Sequence, residues 1–246
     1  MKTKPMLRWL FESSLNAFIG FYISMYAILL VSCIITFFVP AKNVSMNSFS
    51  VSPQVMLFIT GIIQFYGATR FGLGHGVSRK SIYLSVILFF IVMSVLILPL
   101  NLLGEWLGSL AGMNTRPVET YFFLSTCDVN SRAFLLALMV ERISSVFLCG
   151  TLGYFTGGIY YRLTTKWKWI VSIGVPVGLL VVLPLAVTYL FPYETKIALK
   201  NAIQRFVMQF LLKTPWNLAL VFLLIAMFCA AACFLLIRKT PLKTAK

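Results

Sequence analysis

Between Lys80 and Glu105 the chain runs SIYLSVILFFIVMSVLILPLNLLG without one charged residue. About 20 apolar residues in helical form cross the hydrocarbon core of a bilayer, so this stretch alone calls for a membrane-spanning helix. Comparable runs recur. Spans are expected at about 15–39, 53–69, 81–103, 143–161, 169–191 and 216–237. All six are expected to be helical, because backbone groups in lipid must bond within their own segment or within a closed barrel, and the runs lack the alternation of barrel strands. Only 11% of the 246 residues are charged, against about 25% in a soluble domain. The reading is an all-α membrane protein, one transmembrane domain over residues 1–246. The apolar run after Met1–Arg8 is too long for a cleaved signal segment and is read as the first span.

The formal charge of +15 does not point to nucleic acid, because the basic residues lie in short segments between apolar spans. Loop orientation and anionic headgroups account for them better. With the N-terminus inside, thirteen Lys and Arg fall on cytoplasmic segments and eight outside, which fits six spans with both termini in the cytoplasm. Three segments stand apart. Lys4–Asn16 mixes basic residues with Leu7, Trp9, Leu10 and Phe11 and reads as an interfacial helix leading into the first span. Glu105–Arg142 reads as a long outer excursion, whose second part, SRAFLLALMVER, is expected to re-enter the bilayer in part. The stretch ETKIALKNAIQRFVMQFLLK is amphipathic and is expected to lie flat on, or dip into, the outer surface.

Chemistry of the chain's own is not expected. General acid–base work needs positioned titratable groups, and the inventory is one histidine and six acids. His75 has no sequence-adjacent acid. GLGHG lacks the third glycine of a dinucleotide loop, since Val77 stands in its place, and no phosphate-binding G-x-x-x-x-G-K-[ST] loop occurs. Of the five cysteines, Cys229 and Cys233 share a helix face, but two thiols without a nearby histidine or carboxylate make a weak metal site. No catalytic, cofactor or metal residues are assigned.

Three features remain. The stretch RFGLGHGVSRK places Arg70, Gly72, Gly74, His75, Gly76, Val77, Ser78, Arg79 and Lys80 between two apolar spans. Its glycines allow turn geometries closed to other residues, Ser78 can cap the next helix, and Arg79 and Lys80 can meet lipid phosphates or a partner's acids. A plain tight turn is the simpler reading. Glu141 and Arg142 sit near the outer edge of the fourth span, either reaching for headgroups or lining an outward cavity. Gly153 and Gly157, followed by Gly158, form a GxxxG pattern for close helix approach, within the chain or at a subunit interface.

The order of these elements resembles the permease subunit of an ABC-2 type ATP-binding-cassette exporter. The stretch Gly76-Val77-Ser78-Arg79-Lys80 is similar to the GVSRK loop of small permeases from Gram-positive bacteria, and GYFTGGIYYR, Gly153–Arg162, to the end of their fourth span. That group includes exporters of amphipathic peptides such as phenol-soluble modulins, and antimicrobial-peptide resistance proteins. The resemblance implies a cell-membrane homodimer docked on cytoplasmic ATPase subunits, which would bind ATP and Mg, with residues 70–81 as the coupling element. The alternative is an immunity component that captures antimicrobial peptides at the outer face without moving them.

Overall fold

The computed structural model describes residues 3–38, 48–111, 123, 131–182, 184–185, 189 and 193–238. These residues are helical almost throughout, with no strand among them. The helices are α1 (Thr3–Phe38), α2 (Ser48–Gly74), α3 (Arg79–Leu110), α4 (Arg132–Arg162), α5 (Thr165–Val177), α6 (Tyr193–Phe206) and α7 (Pro215–Arg238). Wider π-type turns extend α5 through Gly178–Val182 and α6 through Val207–Leu211. Five helices, α1, α2, α3, α4 and α7, are long and apolar enough to cross a membrane, which makes the chain a multi-pass membrane protein.

The fifth expected span, 169–191, is not among these five. Its described part is the 13-residue α5 and the turn that follows it, and residues 183, 186–188 and 190–191 of that span lie outside the described set. Pro176 and Pro184 bracket the widened turn. Each lacks the N–H that would close a helical bond, so the regular ladder cannot run through this stretch.

Two expected segments merge with their neighbours. The N-terminal stretch is the beginning of α1, a single helix of 36 residues, and its Met6 and Leu10 are buried in the core rather than spread on an interface. Residues 132–142 are likewise the first turns of α4, an uninterrupted helix of 31 residues, so no re-entrant turn separates them from the fourth span. At 1.5 Å per residue these helices are about 54 and 46 Å long, well beyond the ~30 Å hydrocarbon core. Pro53 falls inside α2. The outer excursion at 112–122 and 124–130 lies outside the described residues.

The bundle is organised on α4, which packs most extensively against α2 and α7. Half of its most apolar window is buried, against 22% for α1. Small residues explain this position. A Cβ added to Gly157 would stand 2.7 Å from the Ile62 carbonyl, one at Gly61 2.5 Å from the Gly150 carbonyl, and one at Gly153 would fall on the Phe58 carbonyl. Lipid tails compete for apolar surface, so close backbone approach and van der Waals packing hold such helices together. Phe65, Phe89, Phe90 and Tyr154 fill the core beside this seam.

Candidate functional site

The connection between α2 and α3 is closed entirely by hydrogen bonds. Gly76 has φ +68, the left-handed conformation that favours glycine. The Val77 N–H donates to the Gly72 carbonyl at 2.8 Å and the Gly76 N–H to the Leu73 carbonyl at 3.2 Å. That bond pair is a Schellman motif, the standard closure for a helix that ends on glycine. Ser78 then caps α3 at once: its Oγ accepts from the Ser81 N–H at 3.3 Å. One helix stops and the next starts within four residues, with Val77 buried in the core between them. This is a stiff elbow.

The three alternate glycines do different things there. Only Gly76 has a positive φ. Gly72 makes room for Ile82, whose Cδ1 would lie 2.5 Å from an added Cβ. Gly74 is helical, and a Cβ there would meet nothing within 4 Å, so the turn geometry expected for all three is needed at one. His75 folds back on α2, its Nδ1 2.8 Å from the Phe71 carbonyl and its ring 4.2 Å from the Phe71 ring. Arg70 stays on the α2 surface, where its guanidinium donates to the Tyr66 hydroxyl at 3.2 Å. Lys80 is exposed.

Three other helix ends meet the elbow. Trp9 of α1 stacks on Phe71, centroids 4.3 Å apart and planes 4° from parallel, and the Ser85 hydroxyl donates to the Thr3 carbonyl at 3.2 Å. Arg79 donates to the Arg238 carbonyl and, at 3.5 Å, to that of Ile237. Arg162, at the end of α4, donates to the Leu236 carbonyl at 2.6 Å. Two arginines thus donate to carbonyls in the last turn of α7 and complement the negative end of the helix dipole. The start of α1, the elbow, and the ends of α4 and α7 therefore lie at one face of the bundle. The sequence reading missed both the aromatic stack and the arginine clasp. Arg79 and Arg162 carried a signal only as cations beside spans.

Toward the other face lies a buried charge cluster. Arg142 of α4 forms an ion pair at 3.0 Å with Glu105 of α3, and its two terminal nitrogens lie 3.2 and 3.3 Å from the second carboxylate oxygen. The two side chains are 9% and 15% exposed, so the arginine meets a carboxylate inside the protein instead of reaching for headgroups. Glu141 is buried beside it. Glu105 is expected to open the outer excursion; α3 instead continues to Leu110 and carries it into the bundle. Below this cluster, Gln54 donates to Ser145 at 3.1 Å, Tyr22 to Asn101 at 3.1 Å and Gln64 to Ser14 at 2.5 Å, tying α2 to α4, α1 to α3 and α2 to α1.

The face of α4 that carries Gly153 and Gly157 is filled by α2 of the same chain, and Gly158 faces Phe65 and Leu236. It offers no room for a second copy. A cavity of ≈ 700 Å³ opens instead between α1 and α3, with Phe18, Tyr22, Tyr26, Phe89, Met93 and Pro99 among its walls. Pro99 stands inside α3 and removes one backbone donor from that wall. Cys229 and Cys233 are buried free thiols, and no three His, Cys, Asp or Glu side chains converge among the described residues. Compared with protein-family models, characterised proteins and solved structures, the chain matches none.

Proposed function

We propose that the chain is the permease subunit of an ATP-driven exporter of the ABC-2 type, coupled at its elbow to a separate cytoplasmic ATPase. The observation that carries this reading is the construction of the elbow. A loose loop would absorb a push from a partner protein. This one is closed by a Schellman motif and a serine cap, stacked on α1 through Trp9 and Phe71, and clasped to α7 through Arg79. A displacement of His75–Lys80 is thereby passed to α1, α2, α3 and α7 together.

In this reading the ATPase holds ATP and Mg, and the chain supplies no reacting group. Arg70 and the exposed backbone of residues 74–76 offer the contact surface. Two copies form the translocation path in the cell membrane, with termini in the cytoplasm on the face richer in Lys and Arg. The cargo is amphipathic peptide or lipid-like, because the α1–α3 cavity presents aromatic and aliphatic walls.

The test is purification of the tagged full-length chain from its own membranes, with a His75→Cys variant for cross-linking. The reading expects a Walker-motif ATPase to co-purify and to cross-link at position 75. It falls if no nucleotide-binding protein is recovered and the chain instead retains antimicrobial peptide at the outer face by itself, which is the behaviour of an immunity component.

A further inference from the structure

Beside the elbow, a cavity of ≈ 570 Å³ lies in the seam between the first turn of α3 and the last turn of α7, lined by Ser78, Arg79, Lys80, Phe234 and Arg238. Its composition is two-sided. Phe234, packed against Tyr83 with ring centroids 5.3 Å apart, makes an apolar floor, and three cations stand at the rim. Among the described residues no carboxylate lines it. Glu12, the acid that α1 carries toward this face, is taken by Arg8 at 2.6 Å.

The cations are not equally committed. Arg79 is engaged with the α7 carbonyls. Lys80 and Arg238 are both exposed, and neither side chain has an ion-pair or hydrogen-bond partner among the described residues. The first helical amides, those of Arg79 and Lys80, precede the first intrahelical bond, from the Ile82 N–H to the Ser78 carbonyl. They add partial positive charge at the same rim.

We propose that this seam is a binding site for an anionic glycerophospholipid of the leaflet on the elbow's side, its phosphate held by Lys80 and Arg238 and its acyl root laid on Phe234. Charge complementarity selects an anion, and the apolar floor at the edge of a spanning helix selects a lipid over a soluble phosphate or a partner's acidic loop. The bound lipid bridges α3 and α7 where Arg79 already joins them. The proposal goes beyond the exporter reading and stands without it, since it requires no ATPase and no cargo.

The experiment is native mass spectrometry of the full-length chain in detergent micelles, titrated with dioleoyl phosphatidylglycerol or dioleoyl phosphatidylcholine. Each Lys or Arg near an anionic headgroup contributes about fivefold in affinity. Lys80→Gln and Arg238→Gln should therefore each weaken phosphatidylglycerol binding about fivefold, and the double variant about 25-fold. Phosphatidylcholine binding should be indifferent to them. Both side chains are exposed and without side-chain partners, so the variants keep the fold, which circular dichroism verifies. A Lys166→Gln/Lys168→Gln variant, on the same face but outside the seam, should change affinity less than twofold. Three results would overturn the proposal: equal affinity for the two lipids, an equal loss in the Lys166/Lys168 variant, or occupancy by glycerol phosphate as tight as by the lipid.

Discussion

Replacing the elbow glycines one at a time by alanine separates three roles that look alike in the sequence. At Gly76 the backbone sits at φ +68, where an L-residue is strained by about 1–2 kcal/mol, a factor of roughly 5–30 in the folded-to-unfolded ratio. At Gly74 the backbone is helical and an added Cβ meets nothing within 4 Å. Alanine there should be neutral or stabilising by up to about 1 kcal/mol, because the unfolded chain loses freedom. At Gly72 the added methyl would press on Ile82 Cδ1 at 2.5 Å, the tip of a flexible side chain, and overpacking of this kind costs about 1–3 kcal/mol. The assay is reversible unfolding in mixed micelles followed by circular dichroism. Gly76→Ala and Gly74→Ala should differ by about 1–3 kcal/mol. Gly76→Asn should recover part of the loss, since asparagine tolerates the left-handed region. The reasoning is refuted if Gly74→Ala is as damaging as Gly76→Ala, or if Gly76→Asn is no better than alanine.

Three further outcomes are expected. Arg142→Gln removes the buried ion pair with Glu105 and should destabilise the fold, by up to about 3–5 kcal/mol; the charge-free pair Glu105→Gln/Arg142→Gln should recover much of that in a double-mutant cycle. Arg79→Ala and Arg162→Ala each remove charge-assisted bonds to the last α7 carbonyls, bonds of about 1.5–3 kcal/mol. Hydrogen exchange in the final turn of α7 should then quicken by roughly tenfold or more, while α2 is unchanged. Gly153→Val forces α4 off the Phe58 carbonyl, and α2 should become open to proteolysis, whereas Gly178→Val, with nothing within 4 Å of its missing Cβ, should not have this effect.

The spanning helices were legible because apolar length is a one-dimensional property, and 81–103 or 216–237 need no partner to be recognised. Helix ends were not. Arg132 and Glu141 read as part of an outer excursion that re-enters the bilayer, yet α4 runs straight through them because Glu141 and Arg142 are accommodated inside the bundle. Arg142 is paired there with Glu105, 37 residues away, a pairing that no local pattern encodes. The N-terminal stretch misled for the same reason: Trp9 belongs on a membrane surface by composition, but Phe71 offers it a parallel ring. The elbow was the most readable part of the site, since a glycine followed by a small apolar residue and a serine spells both closure and cap. Which of its glycines needs a positive φ could be settled only by the backbone.

The proposed exporter would move cargo only when a partner pushes its elbow. The direct measurement is efflux of a labelled amphipathic peptide from proteoliposomes holding the chain with or without the co-purified ATPase. Efflux should require both proteins and ATP, and should be lost with Arg70→Glu while ATP hydrolysis persists. Efflux by the chain alone, or undiminished efflux in an ATPase-inactive complex, would contradict it.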